Sequence, residues 1–339
     1  MPGRFRDLRV LSPDAPAPGF SRRRFLAGLG VIAAGALCGP FLSRVRIGPI
    51  TSVEVERRGL GTWIRIIARD DDPAMAERAV ARAYAAIDLV DRQMSVHRVD
   101  SQLSRVNRAA GIEAIAVDDA VLEVVTRARG RAERAGGVYD PTVLPLMRLY
   151  GFYGATRERC PGSREIGRTL DAVGWRHVLV DRAAGTLGLA RRGAGLDLGS
   201  IGKGWAVDQA VAALRAEGIT SGLVDVGRNV YGLGTPGGRT EGWPVGAVHP
   251  VSGAIDRVFT LRDQAVATSG NTEQHHLVGG VRVGHLLDAR RGRPANGPLS
   301  ATVLARSGTD ADGTSTVAFL LGAEAVRAWP EPLAVHVIG

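Results

Sequence analysis

The chain has 339 residues, 45% of them apolar, which excludes a disordered protein and predicts a globular body large enough for an enzyme. Its formal net charge is +9, but residues 1–47 hold eight arginines and two aspartates, so the remaining body carries a surplus of only three. This distribution excludes a nucleic-acid-binding protein as the first hypothesis, because such a protein carries its basic residues on one folded face. Two cysteines, Cys38 and Cys160, are too few for a disulfide framework or a zinc site.

The N-terminal segments are predicted to form a targeting signal rather than part of the enzyme. Residues 1–20 form a basic tail, and residues 21–47 begin with three arginines at 22–24 and continue as an apolar, Ala/Gly-rich run. This order of parts is typical of a twin-arginine export signal, which delivers folded proteins to the outer side of the cytoplasmic membrane. A run of roughly 18 apolar residues also allows a membrane anchor that is not cleaved. Cys38 raises the further alternative of lipidation.

The body, residues 48–339, contains strand and helix patterns without the strict alternation of a doubly wound sheet. Strands are predicted at 52–56, 62–68, 177–181, 222–226, 245–248 and 299–305, and helices at 72–94, 118–135, 203–217 and 312–321. These elements predict an α+β fold with mixed, largely antiparallel sheets and packed helices, in a single catalytic body.

Two patterns in the body are predicted to carry no chemistry. The glycines at 232–237 have the letters of a dinucleotide-binding fingerprint, but Gly238, Gly242 and Pro244 follow where its helix would have to begin. His275 and His276 lie in a polar, turn-like stretch, and we expect surface residues there rather than metal ligands. The sequence therefore predicts neither a Rossmann site nor a histidine metal site.

The most informative segment runs from Asp197 to Asp208. It contains Lys203, the single lysine among 43 basic residues that are otherwise all arginine. Glycines around Ser200 predict a loop whose N–H groups face an anion at the start of a helix, with Lys203 as the countercharge. The alternative is an ordinary glycine-rich turn between a strand and a helix. Retention of one lysine indicates a need for an ammonium group that a guanidinium cannot replace.

Two other segments supply candidate metal ligands and a candidate base. Asp312 and Thr316 stand four residues apart on one predicted helix face, and their oxygens are of the kind that Mg²⁺ accepts. The alternative is that Asp312 only caps the helix. His285 lies at a predicted strand end, where an imidazole can act as a general base, although a lone histidine is more often structural.

Taken in chain order, these segments resemble the ApbE family, the FAD:protein FMN transferases. The matching stretches are 59–62, 94–97, 101–107, 136–145 and 173–175, followed by the three segments described above. The resemblance implies a Mg²⁺-dependent enzyme that transfers FMN from FAD to a Thr or Ser hydroxyl of a target flavoprotein, forming a phosphoester and releasing AMP. It implies FAD contacts at Leu60, His97, Val138, Tyr139, Asp140, Asp197, Lys203 and Leu286. It implies Mg²⁺ contacts at Ser200, Asp312, Ser315 and Thr316.

The same resemblance implies catalytic roles. His285 matches the histidine that deprotonates the acceptor hydroxyl, while Mg²⁺ at Asp312 and the ammonium of Lys203 neutralise charge on the phosphoryl oxygens. The implied acceptor belongs to a membrane respiratory complex, because exported members of the family resemble accessory proteins of nitrous-oxide respiration. Two alternatives stay open: an FAD pyrophosphatase that gives FMN and AMP, and a non-catalytic flavin carrier or assembly factor.

The sequence departs from the family pattern at three positions. Arg228 stands where the family usually has a second glycine, His97 stands where tyrosine is common, and Asn271 replaces the more usual aspartate. Arg228 places a bulky cation where backbone is expected to approach closely. None of the three departures removes a predicted metal ligand or the predicted base, so we expect the enzyme to be active.

Overall fold

The structure is a computed structural model, and it describes residues 8–10, 41–47, 50–154, 157–237, 240–271, 275–278 and 280–339. The predicted arginine motif and Cys38 lie outside the described residues. The last seven residues of the predicted signal segment, Phe41–Ile47, form a strand that pairs with the body. None of the helices in the described ranges combines the length and the apolar character needed to cross a membrane.

The described elements alternate short strands with a few long helices. The strands are β1 (Leu8–Val10), β2 (Phe41–Ile47), β3 (Ile50–Gly59), β4 (Thr62–Asp70), β5 (Ile115–Ala116), β6 (Val178–Asp181), β7 (Thr186–Leu189), β8 (Ser221–Val226), β9 (Asn229–Leu233), β10 (Trp243–Val248), β11 (Ile255–Leu261), β12 (Gln264–Ser269), β13 (His275–Val278), β14 (Val281–Gly284), β15 (Leu287–Asp288), β16 (Arg293–Pro294), β17 (Ser300–Ala305) and β18 (Pro332–Ile338). The helices are α1 (Pro73–Met94), α2 (Gln102–Arg108), α3 (Asp119–Arg134), α4 (Leu144–Leu149), α5 (Ser163–Leu170), α6 (Gly202–Ala216), α7 (Gly308–Leu321) and α8 (Ala323–Arg327).

An eight-stranded sheet in the order β18-β17-β12-β9-β8-β4-β3-β2 forms the centre of the fold. Every strand pair within the described residues is antiparallel. Side chains alternate across β4: Ile64 and Ile66 pack against the helices, and Ile67 packs against the smaller sheet of β10 and β11. The predicted α+β class is confirmed, with helices on one face of the sheet and a second sheet on the other.

The predicted long helices are confirmed, and their sequence signals account for their ends. The α1 helix begins after Asp72, whose carboxylate accepts the Ala74 N–H at 2.9 Å. Its predicted apolar stripe is buried, at Ala76, Val80, Ala83, Ile87 and Val90. The α3 helix ends before Gly136 and Gly137, which both have positive φ.

Two local predictions are wrong. The α7 helix begins at Gly308, four residues before the predicted start, because Ser307 rather than Asp312 supplies the capping oxygen. His275 and His276 lie on β13, not in a turn, and the ring of His276 packs edge-on against Phe152 at 4.8 Å between ring centroids. The polar side chains concealed the strand pattern, and within the described ranges this strand pairs with β14 alone.

Candidate active site

A cleft lies where the starts of α6 and α7 meet segments from four other parts of the body. Nine of the residues predicted from the sequence line it: Tyr139, Asp140, Asp197, Ser200, Lys203, His285, Leu286, Asp312 and Thr316. Four predicted residues do not line it: Leu60, His97, Val138 and Ser315. Segments that are more than 100 residues apart in the sequence thus converge on one site.

The starts of α6 and α7 touch because both carry a glycine at the contact. A Cβ on Gly204 would overlap the carbonyl oxygen of Gly308, and a Cβ on Gly308 would lie 2.6 Å from the carbonyl oxygen of Gly204. Each helix then sends a carboxylate to the other. Asp312 of α7 accepts the Gly204 N–H at 2.9 Å, and Asp208 of α6 accepts the Gly308 N–H at 2.6 Å. The two helix starts are therefore held as one unit.

The loop before α6 brings Lys203 to the cleft. Its ammonium donates to the carbonyl oxygen of Gly199 at 2.9 Å. Asp197 accepts the Gly199 N–H at 2.8 Å and so fixes the turn of the loop. Ile201, the N-cap residue of α6, offers no side-chain acceptor, so of the N–H groups at this helix start the one at Gly204 is capped by a side chain, that of Asp312.

A tyrosine that the sequence analysis did not single out completes this wall. The hydroxyl of Tyr153 donates to the second oxygen of Asp197 at 2.8 Å. Burial, reinforced by the negative charge of Asp197, raises the pKa of Tyr153 well above its ordinary value, so the phenol stays protonated. The exposed ring of His97 lies edge-on to Tyr153, with 5.1 Å between ring centroids. His97 therefore contacts a residue that lines the cleft but does not line it itself.

The loop that follows α3 is held by Asp140. Its carboxylate accepts the N–H and the hydroxyl of Thr142 at 2.8 and 2.6 Å, and the Trp175 N–H at 2.7 Å. Burial raises the pKa of Asp140, while these hydrogen bonds oppose that rise. The buried Val138 supports the loop from behind, since its carbonyl accepts the Ala289 N–H at 3.1 Å.

Tyr139 connects this loop to the loop before α6. The Ser200 hydroxyl donates to the phenolic oxygen of Tyr139 at 3.1 Å. Burial raises the pKa of Tyr139 to about 12, so the phenol is neutral under working conditions. This contact positions Ser200 beside the start of α6, on the side where Asp312 lies.

Hydroxyl groups and one carboxylate gather around the second turn of α7. Asp312 is only 5% exposed, and among the described residues no arginine, lysine or histidine forms an ion pair with it. The Ser315 hydroxyl donates to the Asp312 carbonyl at 2.9 Å and contacts the Ser269 hydroxyl at 2.8 Å. The Thr316 hydroxyl lies 3.1 Å from that of Ser269. Asp312 does not cap α7, so the capping alternative is wrong.

These groups fit a hard cation such as Mg²⁺. A buried carboxylate without an ion-pair partner is unfavourable unless a cation or hydrogen bonds compensate it. Hydroxyl and carboxylate oxygens are the ligands Mg²⁺ prefers, usually with substrate phosphate completing the set. The described residues contain no group of three or more His, Cys, Asp or Glu side chains that could hold a metal. Asp312 would therefore be the main charged ligand.

His285 directly follows β14 and lines the cleft half-buried. The backbone around it is held by Asn271, whose side-chain oxygen accepts the Leu286 N–H at 3.1 Å. Position 284, which precedes His285, has to be glycine, because a Cβ there would overlap the Asn271 side chain. Asn271, one of the departures from the family pattern, thus serves as the anchor of the His285 loop.

Leu60 occupies the two-residue turn between β3 and β4. It has a φ of +49°, and Gly61 follows with +71°, so this turn has the left-handed geometry of a tight hairpin. Thr62, the next residue, packs against Gly227, which lines the cleft. The structure therefore places Leu60 near the cleft, in the second layer of residues around it.

Sequence reasoning missed Asp208, Ser269 and Tyr153. Asp208 is the last residue of the segment 197–208 that contains Lys203, but its hydrogen-bond partners, Gly308 and Thr309, lie 100 and 101 residues away. Ser269 and Tyr153 had no spacing signal that could connect them to Ser315 or Asp197. Only the structure shows that these three side chains hold the predicted site residues, or the helix that carries them, in position.

Comparison with known proteins agrees with this geometry. The model of the ApbE family matches residues 60–338. An FAD:protein FMN transferase from Klebsiella pneumoniae is 29% identical over 297 residues, which cover 85% of this chain and 84% of that protein. One from Treponema pallidum is 31% identical over 281 residues, covering 78% and 77%. The flavin transferase ApbE from Vibrio cholerae has a TM-score of 0.76 at 29% identity, covering 85% of this chain and 94% of that one. This chain is a member of the ApbE family.

Proposed function

We propose that this protein transfers FMN from FAD to a Thr or Ser hydroxyl of a target flavoprotein. The observation that carries the proposal is the joined start of α6 and α7, which places the Lys203 ammonium and the Asp312 carboxylate in one cleft with His285. Family membership supplies the reaction class, and this arrangement supplies groups suited to a phosphoryl transfer.

The start of α6 binds the pyrophosphate of FAD in this proposal. The start of α6 offers the N–H of Lys203 and a partial positive charge to an anion, and the Lys203 side chain adds a full charge. Mg²⁺, held by Asp312 and Thr316 with Ser200 and Ser315 nearby, would neutralise further charge on the phosphoryl oxygens. Tyr139, Asp140, Asp197 and Leu286 would line the nucleotide, with Leu60, His97 and Val138 around them.

His285 acts as the general base in this proposal. Its imidazole takes the proton of the acceptor hydroxyl as that oxygen attacks the phosphorus on the FMN side of the pyrophosphate. The bond from this phosphorus to the bridging oxygen breaks, and AMP leaves with the electron pair. The products are a phosphoester-linked FMN, AMP and one proton held by His285.

The test is incubation of the full chain with FAD, Mg²⁺ and a candidate acceptor domain, followed by in-gel flavin fluorescence and intact mass. We expect a covalent FMN adduct on the acceptor that requires Mg²⁺ and is lost in Lys203→Ala and Asp312→Ala. The exposed Glu324→Gln variant is the control and should transfer normally. Free FMN and AMP without an adduct would favour the pyrophosphatase, and tightly bound, intact FAD would favour the carrier.

We further propose that the enzyme works outside the cytoplasmic membrane, after twin-arginine export, on an acceptor of a membrane respiratory complex. The support is the arginine run at 22–24 followed by the apolar segment, which lies outside the described residues. Replacing Arg22 and Arg23 with lysine should retain the protein in the cytoplasmic fraction of the native host. Unchanged fractionation of that variant would refute the twin-arginine route.

A further inference from the structure

The turn between β8 and β9 holds an arginine in a conformation that favours glycine. Val226 pairs with Asn229, so Gly227 and Arg228 alone form the turn, with φ of +55° and +74°. Both positions of such a turn need positive φ, and Asn-Gly or Gly-Gly are the usual pairs. A side chain at the second position is strained, because its Cβ crowds the neighbouring carbonyl.

The turn needs a glycine at its first position but not an arginine at its second. A Cβ on Gly227 would lie 2.7 Å from the hydroxyl oxygen of Thr62, so only glycine fits there. The Arg228 N–H donates to the Asp225 carboxylate at 2.9 Å, a backbone contact that any residue, including glycine, would make. The strain at Arg228 is therefore not a requirement of the hairpin.

Strained backbone often persists where a residue has a function, and Arg228 lies at a candidate functional site. It lines the same cleft as Lys203, together with Ser269 and Asp312. Among the described residues that line this cleft, Lys203 and Arg228 are the two with a permanent positive charge. They come from different elements, so they present cations to the cleft from separate parts of the fold.

We propose that Arg228 is a second phosphate-binding residue for FAD, in addition to Lys203. This inference rests on the proposed function, in which FAD enters the cleft with its only negative charges on the pyrophosphate. A guanidinium offers a planar pair of donors that matches two phosphate oxygens, whereas the ammonium of Lys203 offers a compact point charge. Arg228 would hold the pyrophosphate in place while Lys203 neutralises it.

The decisive variant is Arg228→Gly, because it removes the cation and the strain together. We expect the dissociation constant of FAD to rise about tenfold, the size expected for loss of one charge-assisted contact. The binding of ADP, which carries a pyrophosphate without the flavin, should weaken by a similar factor. At the same time the melting temperature should rise by about 2 °C, because glycine relieves the positive φ. A residue that served only the fold would not give weaker binding with greater stability.

Two variants separate charge from conformation. Arg228→Lys should retain only part of the FAD affinity, because it keeps the charge and loses the paired donors, and Arg228→Gln should lose the affinity as Arg228→Gly does while keeping the wild-type melting temperature. Asp263→Gly is the matched control, since Asp263 also has a positive φ, of +52°, in an exposed turn that does not line the cleft. Its FAD affinity should equal that of the wild type.

Binding is measured by quenching of flavin fluorescence and by calorimetry, without an acceptor. An unchanged dissociation constant in Arg228→Gly and Arg228→Gln would overturn the proposal for Arg228 and leave the proposed function intact. Failure of the wild-type protein to bind FAD at all would instead overturn the proposed function. The two failures are thus distinguished by the wild-type measurement alone.

Discussion

The two helices that meet at the cleft differ in how many of their first N–H groups are capped by side chains. In α7 the first three N–H groups are capped by side chains: Gly308 and Thr309 donate to Asp208, and Asp310 donates to Ser307 at 3.1 Å. In α6 the N-cap residue Ile201 offers no side-chain oxygen, and of the first three N–H groups that of Gly204 is capped by a side chain, the carboxylate of Asp312. Within the described part of the chain, the N–H of Lys203 has no hydrogen-bond acceptor.

This difference indicates what each helix start is for. A helix whose first N–H groups are capped by carboxylate has its positive end neutralised, so α7 is suited to present the carboxylate of Asp312 rather than to bind an anion. A helix start with an open N–H and a lysine retains its positive end. The fold thus joins an anion-attracting start to a cation-attracting turn, as a phosphoryl-transfer site requires.

The largest effect is expected from removing the charge of Asp312, which would leave the cation-attracting turn neutral. Asp312→Asn should lower the FMN-transfer rate about 1000-fold, equivalent to about 4 kcal/mol, because no charged ligand would remain for Mg²⁺. The melting temperature should stay within about 2 °C, since the amide oxygen still accepts the Gly204 N–H. Transfer within tenfold of the wild type would contradict the assignment of Asp312.

The next effect comes from forcing the two helix starts apart. Gly204→Ala should destabilise the fold by about 3 kcal/mol, because the new Cβ would overlap the Gly308 carbonyl, which belongs to the backbone and cannot swing away. Gly202→Ala is the matched control: its Cβ would lie 3.9 Å from that of Leu198, an ordinary contact. Urea unfolding of both variants checks the comparison. Equal stabilities would show that the helices do not touch as described.

Part of this arrangement could be predicted from the sequence, because its signals are local. Lys203 stands out as the single lysine, and the four-residue spacing of Asp312 and Thr316 places both on one face of α7. The order of motifs along the chain then indicated that they belong to one site. The residues of each motif lie within about a dozen positions of one another, so the sequence alone identifies them. The structure then brings these predicted residues together in one cleft.

The rest depends on contacts between distant residues. The start of α7 was predicted four residues too late although its cap, Ser307, is local, and the second cap, Asp208, lies in α6 and carries no local signal. The β9 strand, Asn229–Leu233, was missed because it is buried throughout and lacks the alternation of a half-exposed strand. A single sequence does not show which distant side chain will fill a cap or cover a strand.

A smaller effect is expected from removing the cap that joins α7 to α6. Asp208→Ala should destabilise the protein by about 2 kcal/mol, because the buried N–H groups of Gly308 and Thr309 lose their acceptor. It should also raise the Mg²⁺ concentration needed for half-maximal FMN transfer, since Asp312 is carried by the same helix. The control is Gln209→Ala, one residue further along α6. Loss of stability with an unchanged Mg²⁺ requirement would mean that the cap does not position Asp312.

The smallest effect is a pH dependence of the cap that Asp208 of α6 provides for α7. Burial raises the pKa of Asp208 above its ordinary value, although its hydrogen bonds to Thr309 and Gly308 oppose the rise. The native state therefore binds this proton more tightly than the unfolded chain does. The contribution of Asp208 to the free energy of unfolding must then fall as the pH rises from the ordinary pKa through the raised one, by about 1.4 kcal/mol for each unit of the rise. Asp208→Asn cannot titrate, so the free energy of unfolding of the wild type minus that of this variant should fall as the pH rises above the ordinary pKa of an aspartate. Urea unfolding of both proteins across this rise in pH measures that difference directly, and a difference that grows with pH would mean that the carboxylate is stabilised in the fold, not destabilised by burial.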